Sequence, residues 1–187
     1  MIRNNANYIP LLLCLSLYSF ATMGSAQELN VTFSANIRET TCDMILSGGT
    51  NNTVVIGTEG KVGLDKILAG DISAAAIFSL KITECPASLS SLKTTIKGEK
   101  SADLNTAISN SSGDGNAENI GLSIARKSAP DSLFVINSIA DAERLVWTDA
   151  EITAKEVQLV ARLTPTKTGL GTTGYFNAVA TFEFTYE

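Results

Sequence analysis

The chain has 187 residues, 44% of them hydrophobic and 18% charged, with 14 basic side chains against 19 acidic and no histidine. A formal charge of −5 gives no footing for a nucleic-acid backbone. The absence of histidine excludes histidine-based catalytic triads and histidine metal sites.

The first predicted element is a leader. Residues 1–8 carry one charge, Arg3, and residues 9–23 (IPLLLCLSLYSFATM) carry none. Gly24, Ser25 and Ala26 follow, so residues 1–26 read as a secretory signal cut after Ala26. The apolar run is shorter than the roughly 20 residues of a membrane span, and no later segment predicts one. Cys14 sits among bulky leucines, which argues against a lipid-modified cysteine. The mature chain is then 27–187, with 13 basic and 19 acidic residues, one domain long enough to bury a core. Two cysteines remain, Cys42 and Cys85. In an exported chain an even count points to one disulfide, the alternative being two separate buried thiols. A bridge closing about 44 residues contributes roughly 4 kcal/mol in the chain-entropy model.

From there the pattern has period two. Residues 29–37 set Leu29, Val31, Phe33, Ala35 and Ile37 against Asn30, Thr32, Ser34 and Asn36. Further alternating runs at 76–82, 92–96, 120–124 and 157–163 predict half-buried strands of antiparallel sheets. Turn-rich stretches separate them: SGGTNN at 47–52, NSSGDGNAEN at 110–119 and TKTGLGTTG at 166–174. A weak pattern at 138–145 predicts one helical turn. The last strand is predicted from Tyr175 onward, with Phe176, Ala178, Ala180, Phe182, Phe184 and Tyr186 on one face and Asn177, Val179, Thr181, Glu183 and Thr185 on the other. Many short strands between turns argue for a β-sandwich. No repeat or linker marks a second domain.

Both ends of the mature chain are unusual. The 29–37 run starts almost at the cleavage site, so it reads as an N-terminal arm. Burying four such side chains is worth on the order of 6–12 kcal/mol as an upper estimate, and an unpaired apolar edge invites association.

These residues resemble the chaperone–usher pilins, the type 1 fimbrial protein family. The resemblance rests on ELNVTFSANI running into Cys42, AIFSLKITEC ending at Cys85, NIGLSIARK, and VQLVARLTPTKTGLGTTGYFNAVATFEFTYE. In the last of these, Gly174 stands fourteenth from the end and Tyr186 is penultimate, as in the family's subunit signature. The resemblance implies an all-β, incomplete immunoglobulin-like sandwich that lacks its last strand and is completed by donor-strand exchange. It implies three segments: signal peptide 1–26, donor arm 27–38 and pilin domain 39–187. Leu29, Val31, Phe33 and Ala35 would fill a neighbour's furrow. Phe182, Phe184 and Tyr186, with Gly174, would form the chaperone and usher signature and one wall of the chain's own furrow. The implied partners are a periplasmic pilus chaperone, which would anchor the carboxylate of Glu187, an outer-membrane usher and neighbouring pilin subunits. The implied product is a surface fimbria contributing to cell adhesion. The short arm before Cys42 leans toward an adaptor over a shaft subunit. The alternative is a tip adhesin binding a host glycan, although adhesins of the family carry an N-terminal lectin domain and no donor arm.

No catalytic, cofactor or metal site is expected. Asp114 in GDGN lacks the full spacing of a calcium loop and reads as a turn. Lys61, Lys66, Lys93, Lys97, Lys100, Arg126 and Lys127 read as solvated surface, and Trp147 as partly buried core in preference to a sugar platform.

Overall fold

The computed structural model of the chain describes residues 41–85 and 89–186. The leader and the predicted arm, with Leu29, Val31, Phe33 and Ala35, lie outside the described residues. Nine strands are described: β1 (Asp43–Ser47), β2 (Ala75–Glu84), β3 (Leu92–Lys97), β4 (Ala107–Ser109), β5 (Ile120–Arg126), β6 (Ala129–Leu133), β7 (Leu145–Val146), β8 (Glu156–Pro165) and β9 (Thr181–Tyr186). One sheet runs β1-β2-β8-β5-β4, with β6 also pairing β5, and the other runs β7-β3-β9. Every strand pair is antiparallel.

The alternation seen in the sequence becomes the core. Phe78 lies opposite Leu159 and Leu80 opposite Val157 across β2 and β8, while β5 sets Leu122 against Leu163 and Ile124 against Ala161. All of these but Leu163, which packs with Ile67, Ala74 and Ile120, join the cluster that holds Leu92 and Ile96 of β3. Thr94 is also fully buried, and Trp147 Nε1 donates to its hydroxyl at 3.0 Å, so two buried polar groups satisfy each other. Trp147 is therefore core, as its sequence context suggests. The disulfide joins Cys42 and Cys85, which flank the paired ends Asp43 and Glu84 of β1 and β2.

Three short helical segments were not legible in the periodicity: α1 (Leu64–Leu68), a 3-10 turn (Ile72–Ala74) and α2 (Asp149–Ala154). α2 starts on a capping box. Glu151 N donates to Thr148 Oγ1 at 3.2 Å and Thr148 N to Glu151 Oε2 at 2.8 Å. Glu151 also receives Arg126 through two nitrogens, at 2.9 and 3.0 Å. Arg126 is thus half-buried and paired, not the solvated surface cation its spacing suggests. Segment 138–145 holds the predicted single turn, closed by Ala140 O accepting from Glu143 N and Arg144 N at 2.9 and 3.0 Å. The 47–52 stretch contains a tight hairpin turn in which Asn51 and Asn52 take φ of 50° and 59°, between the bridged pair Thr50 and Thr53. Among the described residues no helix is long and apolar enough to cross a membrane.

The final strand is shorter than its alternation implies. Regular pairing begins at Thr181, opposite Lys97 where β3 ends. Residues 175–180 keep the in-and-out burial alternation but lie beyond the end of β3.

Candidate functional site

The two edges of β9 differ. Leu92 O and Ile96 O accept from Trp147 N and Asn137 N at 2.9 and 2.8 Å, so the even-numbered peptide groups of β3 point away from β9. The odd-numbered ones, on Lys93, Thr95 and Lys97, face β9, where their partners are Thr185, Glu183 and Thr181. Alternation then turns the N–H and C=O of Phe182, Phe184 and Tyr186 to the opposite edge. Among the described residues no strand pairs with that edge. A row of unpaired peptide groups is a template for another strand.

The side chains beside this edge form a furrow. Phe182, Phe184 and Tyr186 are half-buried against the core, while Thr181, Glu183 and Thr185 are exposed. The facing wall is β1, with Met44 and Leu46 half-buried and Asp43 and Ile45 exposed. Among the described residues β1 pairs only with β2, so it too has a free edge. Phe78, Leu80 and Ile82 of β2 make the floor, each at most 5% exposed. Two contacts fix how the walls run. Tyr186 Oη donates to Cys42 O at 3.2 Å, and the Phe182 ring meets Phe78 with centroids 5.9 Å apart. Phe78 adjoins Ser79, the partner of Ser47 at the far end of β1. The walls therefore run antiparallel, and the Tyr186–Cys42 bond closes one end. Burial, helped by the nearby Asp43 carboxylate and opposed by the bond to Cys42, pushes the Tyr186 phenol above its ordinary range, so it stays a donor at neutral pH.

Gly174 marks the other end. Its φ is 156°, and a Cβ there would lie 2.5–2.6 Å from the backbone of residues 115–117. That close approach lets Tyr175 N donate to Gly115 O and Tyr175 O accept from Ala117 N, both at 2.9 Å. The sequence-predicted residues thus fall in three places. Phe182, Phe184 and Tyr186 share one wall, the Cys42–Cys85 bridge lies at its closed end, and Gly174 lies at its start. Met44 and Leu46 were missed because three successive apolar residues, Met44, Ile45 and Leu46, in the five-residue run DMILS show no alternation. Asn110 and Ser111 were missed inside a turn-rich stretch, where the only signal is the capacity of these side chains to bond backbone groups.

Asn116 N donates to Gly113 O at 3.3 Å, closing a turn around Asp114. Among the described residues no group of three or more potential ligands is placed to hold a metal. Burial would raise the Glu151 pKa, but Arg126 and the Thr148 backbone outweigh it and hold the carboxyl below its usual range.

A family model described as "Fimbrial protein" matches residues 31–187. The fimbrial-like protein YadM of Escherichia coli (strain K12) is 32% identical over 171 residues, covering 87% of this chain and 88% of that protein. Among solved structures, the P pilus rod subunit PapA superposes with a TM-score of 0.55 at 17% identity, covering 84% of this chain and all of that one. The P pilus adaptor subunit PapF covers 81% of this chain at 13% identity, with a TM-score of 0.44. The likeness to PapA agrees with the all-β, immunoglobulin-like fold expected from the sequence. With the family model spanning residues 31–187 and a relative above 30% identity along most of the chain, the chain belongs to the fimbrial protein family, as a pilus subunit.

Proposed function

We propose that this subunit is polymerised by strand exchange: the furrow between β1 and β9 accepts the N-terminal arm of a neighbouring subunit, and the chain's own residues 29–37 enter the furrow of the next. The observation that carries this reading is the free edge of β9, where three large side chains are half-buried and their peptide groups face no described partner. An extended segment added there gains backbone hydrogen bonds whatever its sequence, and specificity from alternate side chains. Leu29, Val31, Phe33 and Ala35 supply that alternation on the donating side. A periplasmic chaperone covers the furrow before assembly, and an outer-membrane usher oversees the exchange. The role is structural, at a rod or adaptor position in a surface fimbria.

Deletion of residues 27–36 tests both halves of the reading. The expected result is intact binding to the chaperone and no incorporation into fibres. Normal fibres from the deleted chain would refute strand donation.

A further inference from the structure

The free edge of β9 continues past the end of β3 because a side chain stands in for a missing strand. In residues 175–180 the even-numbered side chains Phe176, Ala178 and Ala180 stay half-buried and the odd-numbered ones stay exposed. β3 no longer reaches them, yet the peptide groups of Tyr175 and Asn177 are satisfied. Tyr175 makes a parallel bridge to Asn116. Asn110 Nδ2 donates to Tyr175 O at 2.8 Å, and Asn110 Oδ1 accepts from Asn177 N at 2.8 Å. Those two groups flank Phe176, and a residue on a parallel neighbouring strand would engage the same pair through its backbone. The primary amide therefore imitates a peptide unit. Its nitrogen also donates to Ala117 O at 2.9 Å, tying the imitation to the bridge. Ser111 adds its N–H and its hydroxyl to Asn177 O, at 2.9 and 2.7 Å.

All the groups taken up by this loop belong to odd-numbered residues, the parity that faces β3 within β9. The loop therefore occupies the same edge as β3, and among the described residues nothing pairs with the even-numbered edge from Phe176 through Tyr186. We infer that Asn110 is a positioning residue that lengthens the acceptor edge from β9 alone, 181–186, to the whole of 176–186. This rests on the strand-accepting reading above. An incoming strand antiparallel to β9, like every pairing in the two sheets, sets its C-terminal residues against 176–180. Asn110 then governs how much the last part of the donor contributes.

The test uses the mature chain refolded with one of two synthetic peptides, residues 27–38 or residues 27–34 of this sequence, and reads the unfolding half-life of each complex in guanidinium. In the unaltered chain the longer peptide extends the half-life by about tenfold or more, the scale expected for two added hydrogen bonds and a buried aliphatic side chain. In Asn110→Ala that ratio falls to roughly two, on the scale of one residual contact, while the short-peptide complex is little changed. Asn110→Asp keeps the size and the acceptor for Asn177 N but cannot donate to Tyr175 O, and gives an intermediate ratio. Should Asn110→Ala not refold, Ser111→Ala removes one bond to Asn177 O and lowers the ratio in the same sense. An unchanged ratio in these variants, or an equal weakening of both complexes, overturns the inference. Failure of both peptides to bind the unaltered chain contradicts the strand-accepting furrow itself.

Discussion

β8 and β9 look alike in the sequence and differ in the fold. Each alternates apolar and polar residues with a period of two, broken in β8 by Val160. In β8, pairing with β2 on one side and β5 on the other leaves Val157, Leu159, Ala161 and Leu163 at 1%, 0%, 4% and 6% exposure. In β9, Phe182, Phe184 and Tyr186 carry more apolar surface but remain half-buried, beside an edge with no described partner. Alternation reports which face of a strand is apolar. It does not report whether the peptide groups have neighbours, and the proposed strand exchange depends on the second property.

The contrast can be broken by substitution, and the largest effect is expected in β8. Leu159→Ala opens a cavity in a closed part of the core and should cost about 2–5 kcal/mol. Equilibrium unfolding with and without an added donor peptide should give the same loss, since no donor reaches Leu159. Gly174→Ala comes next, at about 3 kcal/mol, because a Cβ meets the backbone of 115–117 and the φ of 156° suits glycine. Its signature in amide exchange is loss of protection at Tyr175 and Ala117 with β8 unaffected. Phe184→Ala should cost the lone chain less, about 1.5–2 kcal/mol for a half-buried ring, and more once a donor peptide covers the furrow. A penalty independent of the peptide would remove the distinction between the strands.

Tyr186→Phe deletes one hydrogen bond, to Cys42 O, and should cost about 1 kcal/mol. Thermal melting of the donor-peptide complex would show it as a small drop in Tm, with the disulfide intact. The smallest effect lies away from the furrow, at the ion pair that anchors α2. The folded Glu151 pKa is depressed below its ordinary value of 4.5. Its contribution is therefore fully present above that value and is lost as pH falls through the folded pKa. Glu151→Gln should flatten the acid limb of a stability–pH curve while leaving its shape near neutrality unchanged. An unaltered acid limb would mean the pair contributes nothing.

Much of the sandwich was legible because its strands are long enough to show their period. β2, β3, β5 and β8 fall where alternation placed them, each within three residues at either end. β1 was hidden by its length, and β4, β6 and β7 by theirs. α2 was hidden because six residues show no helical period, although Thr148 and Glu151 carry a capping box that composition at those positions announces. The furrow was half legible. The apolar face of β9, with Phe182, Phe184 and Tyr186, and the pairing of Cys42 with Cys85 follow from the sequence, and the place of β9 as a furrow wall from the family resemblance. The β1 wall and the Asn110 amide do not, because each acts through a partner distant in the chain.

The central claim is that the even-numbered peptide groups of β9 await a strand from outside, and amide hydrogen exchange resolved by residue tests it directly. In the chain from residue 27 onward, on its own, the amides of Phe182, Phe184 and Tyr186 should exchange fast while those of Thr181, Glu183 and Thr185, bonded to β3, exchange slowly. Addition of a donor peptide should slow the first set and leave the second nearly as it was. Equal protection of both sets without any peptide would show an edge already paired, and would contradict the account.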